Sequence, residues 1–444
     1  MKSPSTILTL SLQLLGLAAW AQTPVPVGSE FLVNSYTNYQ QNFPTVATDE
    51  AGNFVVVWDS WGSYDSDYYR YSIQGQRFNS AATPLGDQFQ VNSYTPFGQV
   101  KPELAMSSNG DFVVVWQSNE YDNYYAPNIR GQRFGSDGSP LGGEFLINSY
   151  STSYQMVPKV AVAPGGEFIV VWDSYGTVDG TDTSGSSVLA QFYDSAGDAV
   201  GDNFQINNYT LGNQRLPAVS SNGDGRFTVV WQSNGSFGVD TDLRSIQAQF
   251  FSTGGSVIGA NFEINTFTFG NQIRPVVATD RMGNFTVVWD GEGPLFEELE
   301  AGVRGRRFEE NGTPLGSDFQ INTYTDHNQQ QPAIAYGSSG EFMVVWTSRR
   351  QKNPAEYMGQ FGQLFAPDGA PSGSEFLVNS YTPGSQVEGS VAAAPGGHFI
   401  VVWSGYSSLE DSYYAIVGQR FVGPFVFADG FETEDTSIWS STSP

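Results

Sequence analysis

Residues 89–118 read FQVNSYTPFGQVKPELAMSSNGDFVVVWQS, and most of this frame returns six more times along the chain. Its first signature, Phe-x-(Val/Ile)-Asn, places asparagine at Asn34, Asn92, Asn148, Asn207, Asn265, Asn322 and Asn379, at spacings of 58, 56, 59, 58, 57 and 57 residues. A second, Val-Val-Trp, ends at Trp58, Trp116, Trp172, Trp231, Trp289, Trp346 and Trp403. A third, resembling Gly-Gln-Arg-Phe, ends at Phe78, Phe134, Phe192, Phe250, Phe308, Phe365 and Phe421. A fixed period of this size marks a repeat architecture.

Each unit reads as four short strands. In the first they are PTVATD from Pro44, NFVVVWDS from Asn53, SIQGQRFN from Ser72 and QFQVNSY from Gln88. Glycine-rich clusters such as EAGN, SNGD and DGSPLGG separate them as hairpin turns. In the second strand Phe54, Val56 and Trp58 face one way and Val55 and Val57 the other. Both faces are apolar, so the sheet must be covered on both sides. Four-stranded sheets stacked around an axis provide that cover.

The ends of the repeat predict closure. A lone fourth strand, Glu30–Ser35, precedes the first complete unit, and the last unit stops after three strands at Phe421. The N-terminal strand should complete the last sheet and remove an open edge. An open solenoid would carry atypical caps, and none is visible. The expected fold is an all-β, seven-bladed β-propeller of four-stranded blades over residues 30–421. A prior of about 150 residues per domain would give about three domains; the repeat replaces it with one.

The flanks read differently. Residues 1–21 have Lys2, an apolar run from Ile7 to Trp20 and the small-x-small triplet Ala19-Trp20-Ala21. This is the pattern of a signal peptide cleaved after Ala21, too short for a membrane span. Residues 22–29 read as a linker and 422–444 as a C-terminal tail. The expected mature chain is exported, has no transmembrane segment and is a monomer.

Composition excludes several chemistries. Of 444 residues none is cysteine, so disulfides, thiolate metal sites and cysteine nucleophiles are absent. Nineteen Lys and Arg stand against 45 Asp and Glu, a net charge of −26, and a duplex nucleic-acid surface needs clustered cations. His327 and His398 are the two histidines, and no nucleophile motif accompanies them. No catalytic residue is assigned.

The unit is similar to a repeat of secreted, otherwise uncharacterised bacterial proteins, in the frame F-x-(V/I)-N…Q-x-x-P-x-V-A…G-x-F-x-V-V-W…G-Q-R-F. The tail FVFADGFETEDTSIWSSTSP resembles the DGFES-type tail of exported Gram-negative proteins, with Thr433-Glu434 departing from it. These resemblances imply a propeller at the cell surface or outside the cell, and name no activity. The Trp-Asp pairs at Trp58, Trp172 and Trp289 are similar to those of WD repeats, but their period is too long and the Gly-His partner is missing.

Candidate binding residues follow from the topology. Gln41, Gln99, Gln155, Gln214, Gln272, Gln329 and Gln386 each stand seven residues after the signature asparagine. They form either a ring of amides around a polar ligand at the channel mouth or a scaffold satisfying loop backbone. The loops between second and third strands vary and are rich in Tyr, Asn, Ser and Asp, among them Tyr64, Tyr124 and Tyr175. Aromatic rings beside polar groups suit sugar recognition. The pairs Asp65/Asp67, Asp179/Asp182 and Asp240/Asp242 offer hard oxygen ligands for Ca²⁺. Glu297, Glu298 and Glu300 should meet Arg349, Arg350 and Lys352 of the next loop. The functional expectation is a secreted, non-enzymatic binding propeller for an extracellular glycan or cell-surface ligand. Its alternatives are a polysaccharide-active hydrolase or lyase, or a structural module of the cell envelope.

Overall fold

The computed structural model describes residues 22–62, 70–119, 127–149, 153–176, 184–235, 243–268, 270–292, 301–351, 357–407 and 410–424. They form seven antiparallel sheets of four strands, each in simple meander order. We number the blades 1 to 7 from the inner strand Gln41–Thr48 onward. Each inner strand packs against that of the next blade, and the inner strand of blade 7 (Gln386–Ala394) packs back on blade 1. The protein is thus an all-β seven-bladed propeller.

Blade 7 is completed from the other end of the chain. Val25–Leu32 pairs antiparallel with Glu410–Val422, with Val25 opposite Val422 and Phe31 opposite Gly418. The closing strand therefore starts at Val25, inside the stretch expected to be a linker. Its partner offers pairing sites one residue past the motif Phe421, as far as Val422, the same reach as in blades 3 and 4. Ahead of it, the hydroxyl groups of Thr23 and Ser374 of blade 6 lie 3.4 Å apart.

The core lies between blades rather than within them. Val55, Val57 and Ile73 of blade 1 pack with Leu104, Phe112, Val114 and Trp116 of blade 2, and equivalent clusters fill all seven interfaces. The two apolar faces of each second strand thus serve two different neighbours. All seven signature tryptophans are fully buried. At about 25 cal/mol per Å² of apolar surface, burial on this scale replaces the cross-links the chain lacks.

The other repeated residues have geometric tasks. The signature asparagines are buried, and each Oδ1 accepts the backbone N–H of a third-strand residue, from Ile73 for Asn92 (2.7 Å) to Gln360 for Asn379 (2.8 Å). In the closing strand Asn34 accepts from Ile416 at 2.7 Å, so the non-covalent strand repeats the same lock. In five blades the ring tip of the motif phenylalanine abuts a glycine of the third strand, and blades 3 and 4 have Ala190 and Ala248 there. A Cβ at Gly75 would sit 2.6 Å from the Phe89 ring, and one at Gly418 would sit 2.5 Å from Phe31. That contact explains the glycine of Gly-Gln-Arg-Phe.

The seven glutamines are buried to 1% exposure or less. In six blades the tryptophan Nε1–H donates to the glutamine Oε1, for example Trp116 to Gln99 at 2.9 Å and Trp172 to Gln155 at 2.7 Å. In blade 4 the Oε1 of Gln214 accepts from Ser233 instead. The glutamine Nε2 donates to nearby backbone carbonyls, such as Asn38 for Gln41 and Asp326 for Gln329. Gln99→Leu should cost about 1–3 kcal/mol by leaving the buried indole N–H unpaired. Chemical denaturation should show a lower midpoint at an unchanged slope.

Candidate functional site

The glutamines start the inner strands, at the channel end where the second strands finish. Their amides are turned into the blades and hydrogen-bonded there, so they do not form a ring facing a ligand. The physical reason in six blades is the indole beneath the glutamine: a buried N–H requires an acceptor, and the glutamine supplies it; in blade 4 the Ser233 hydroxyl takes that acceptor. Tyr175 is 53% exposed at the end of its second strand, 6.3 Å in ring centroid from Tyr154. Tyr64, Tyr124, Asp65, Asp67, Asp179, Asp182, Asp240, Asp242, Glu297, Glu298, Glu300 and Lys352 lie outside the described residues. Among the described residues no group of three or more acidic or histidine side chains could hold a metal ion.

Two residues after each glutamine the backbone does something the sequence hides. Phe43, Lys101, Val157, Leu216, Arg274, Gln331 and Glu388 all have positive φ, between 51° and 59°. Each sits where the pairing of first and second strands slips. A left-handed conformation costs a residue with a side chain about 1–2 kcal/mol, and such strain persists only where surroundings enforce it. At three of the seven the bulge N–H meets a carboxylate of the previous blade. Lys101 donates to Asp59 Oδ2 at 3.1 Å, Leu216 to Asp173 Oδ1 at 2.7 Å and Phe43 to Glu388 Oε2 at 2.8 Å.

Asp59, Asp173 and Asp290 are the aspartates of the three Trp-Asp pairs. All are at most 1% exposed. Burial pushes the Asp59 carboxyl up to about 8, against the Lys101 N–H, and the nearby Glu388 carboxylate adds to the rise. Burial pushes Asp173 up to about 7 against the pull of Arg215. It pushes Asp290 up to about 6 although Arg274 donates to it from both Nε and Nη2. Glu388 is also raised by burial. The mouth of the channel thus carries carboxyl groups that hold protons near neutral pH, with two of them beside arginines. The available sequence signal was a carboxylate after a buried tryptophan, where blades 2, 4, 6 and 7 have Gln117, Gln232, Thr347 and Ser404.

Beside this mouth, between blades 1, 2 and 3, lies a cleft of about 560 Å³. Trp61, Tyr71 and Tyr154 supply aromatic surface, Val100 and Met156 aliphatic surface, and Gln117 and Asn119 amides. Trp61 is 39% exposed and meets Tyr71 edge to face, with centroids 4.9 Å apart. An exposed indole fixed by a second ring offers a flat platform for the C–H face of a sugar, and the amides reach its hydroxyls. Trp61 was within the variable loop segment SWGSYDSDYYRY but does not belong to the repeated tryptophans.

The sequence matches no family profile and no curated protein. Solved structures share the fold. A protein of unknown function from Dyadobacter fermentans superposes with a TM-score of 0.55 at 9% identity, over 90% of this chain and 99% of that one. An ulvan lyase, a polysaccharide lyase, gives 0.52 at 9% identity over 89% and 95%. An α-L-arabinofuranosidase from Fusarium graminearum gives 0.50 at 9% identity over 89% and 98%. At these identities the likeness establishes architecture alone.

Proposed function

We propose that this protein is a secreted, non-enzymatic propeller that binds an extracellular glycan in the aromatic cleft at Trp61. The observation that carries this reading is the exposed, ring-braced indole among amide side chains. One structural neighbour is by name a polysaccharide lyase and another an α-L-arabinofuranosidase, which supports the reading without assigning it. Export rests on the leader at residues 1–21 with cleavage after Ala21, and surface attachment or processing on the tail beyond residue 424.

The test is a glycan array probed with chain 22–444, with and without calcium. Wild type should bind a restricted set of glycans, and Trp61→Ala should weaken that binding at least tenfold with its melting temperature unchanged. An array on which nothing binds under either condition removes the proposal. A second reading, a polysaccharide hydrolase or lyase, is favoured by the carboxyl groups of Asp290 and Asp173 beside Arg274 and Arg215. Turnover across a polysaccharide panel, abolished by Asp290→Asn, would select it.

A further inference from the structure

The cleft at Trp61 has a counterpart two blades further around the ring. The repeat places Asn213, Arg215, Gln232, Asn234 and Ile273 between blades 4 and 5 where Gly98, Val100, Gln117, Asn119 and Met156 stand between blades 2 and 3. Arg244 occupies the third-strand position of Pro127, and Arg274 lines the pocket as well. One pocket is mainly aromatic and aliphatic, with Arg70 as its arginine; the other, of about 240 Å³, is lined by three arginines and by no acidic residue among the described residues. In a chain with 19 cations against 45 anions this concentration is not a compositional accident.

The arginines are arranged to serve something outside the protein. Arg274 uses Nε and Nη2 on the buried Asp290, which leaves Nη1 and its remaining donors for the pocket. Arg215 is held by the buried Asp173 through Nε at 3.5 Å, and its side chain remains 42% exposed. The two aspartates lie behind the arginines, fixing their planes. Arg244 has no carboxylate within ion-pair distance among the described residues. The amide residues Gln232 and Asn234 line the same pocket. Leu216 and Ile273 supply apolar floor.

We infer that the Arg215/Arg244/Arg274 pocket is an anion subsite that takes the carboxylate or sulfate group of an acidic saccharide. Arginine forks match the planar geometry of a carboxylate and equally bind sulfate oxygens. The amides and the small apolar floor fit the hydroxyls and C–H face that accompany such a group on a sugar. The net charge of −26 limits the ligand further. Beyond a Debye length of about 8 Å that charge is screened, but a long, densely charged polymer would meet it along its whole length. A short or sparsely charged chain fits instead. This inference rests on the glycan reading and names the class of sugar.

The experiment is calorimetric titration of chain 22–444 with three probes of matched length: a tetragalacturonate, its fully methyl-esterified form and a sulfated tetrasaccharide. The expected result is binding of one or both acidic probes, at least tenfold tighter than the ester. The two acidic arms separate carboxylate from sulfate. Arg244→Gln leaves both Arg–Asp pairs intact and should weaken acidic binding at least tenfold, with an unchanged melting temperature. Arg281→Gln removes the same charge at the opposite channel mouth and should change nothing. Equal affinity for acid and ester, or unchanged acidic binding by Arg244→Gln, overturns the anion subsite. Neutral array glycans still bound through Trp61 would then leave the glycan reading standing. No binding of any probe or array glycan removes both.

Discussion

A chain truncated to begin at residue 36 should lose the cooperative unfolding of the ring. The segment removed contains Val25–Leu32, the fourth strand of blade 7, together with Val33 and Asn34. Phe31 stacks on Gly418 and lies 6.2 Å in ring centroid from Phe54 of blade 1, so it contributes to both blades it touches. Burying Val33 is worth about 1.5–3 kcal/mol, the partly buried Phe31 and Leu32 add up to about that much each, and the strand also satisfies a row of backbone groups. Their sum is comparable with the whole stability of an ordinary domain, about 5–15 kcal/mol. No disulfide bridges the seam, because the chain has no cysteine. Thermal unfolding of the truncated chain should therefore be broad and begin well below the wild-type midpoint, with dye binding to exposed apolar surface. A synthetic peptide of residues 22–35 added in trans should restore the midpoint by mass action. Gly418→Val in the full chain gives an independent check. Its side chain enters the space of the Phe31 ring, so it should detach the same strand without deleting anything. A truncated chain that unfolds within a few degrees of wild type would falsify closure by this strand.

The second large effect is on the dependence of stability on pH. Asp59, Asp173 and Asp290 are held at about 8, 7 and 6 in the folded protein, chiefly by burial, against about 3.9 for an unfolded aspartate. Between pH 4 and the folded values the native state binds more protons than the unfolded state. Stability must then fall as pH rises through that window, by up to about 1.4 kcal/mol per pH unit for each group. The direction is opposite to that produced by salt-bridged carboxylates of lowered pKa. Urea midpoints should decline from pH 5 to pH 9. Asp59→Asn should flatten the decline between pH 5 and 8 and raise stability at pH 9, because the amide oxygen still accepts the Lys101 N–H without carrying a charge. Midpoints that rise toward pH 9, or a variant that tracks wild type across the range, would contradict the assignment of buried, protonated carboxyls.

Much of this architecture can be read from particular residues. The alternation around Phe54–Trp58 required cover on both faces, and each face does meet a different blade. The offset from Asn34 to Pro44 spans the crossing from the outer edge of one blade to the inner strand of the next. The glutamines were readable as important but not as to their task. Seven identical amides near a channel mouth allow a ring or a scaffold, and only the buried donors they meet, six indoles and the Ser233 hydroxyl, decide. Trp61 and Arg244 left no repeated signal. A binding platform breaks the symmetry of the repeat, and a residue that occurs once in seven units is invisible to periodicity.

The sequence by itself determined the number of blades, the strand that closes them and the residues that fill the interfaces. These follow from period, apolar alternation and glycine turns, which act locally and recur. Only the tertiary structure decided which polar groups meet across blades. Phe43, Lys101, Val157, Leu216, Arg274, Gln331 and Glu388 share no chemistry, yet they share one left-handed backbone conformation, and at Phe43, Lys101 and Leu216 it brings the N–H to a carboxylate of the previous blade. Arg215 and Asp173 are 42 residues apart in the chain and belong to different blades. Their pairing depends on the angle at which one sheet follows the next around the axis. That angle is set by the packing of all seven interfaces together, and no single segment carries it.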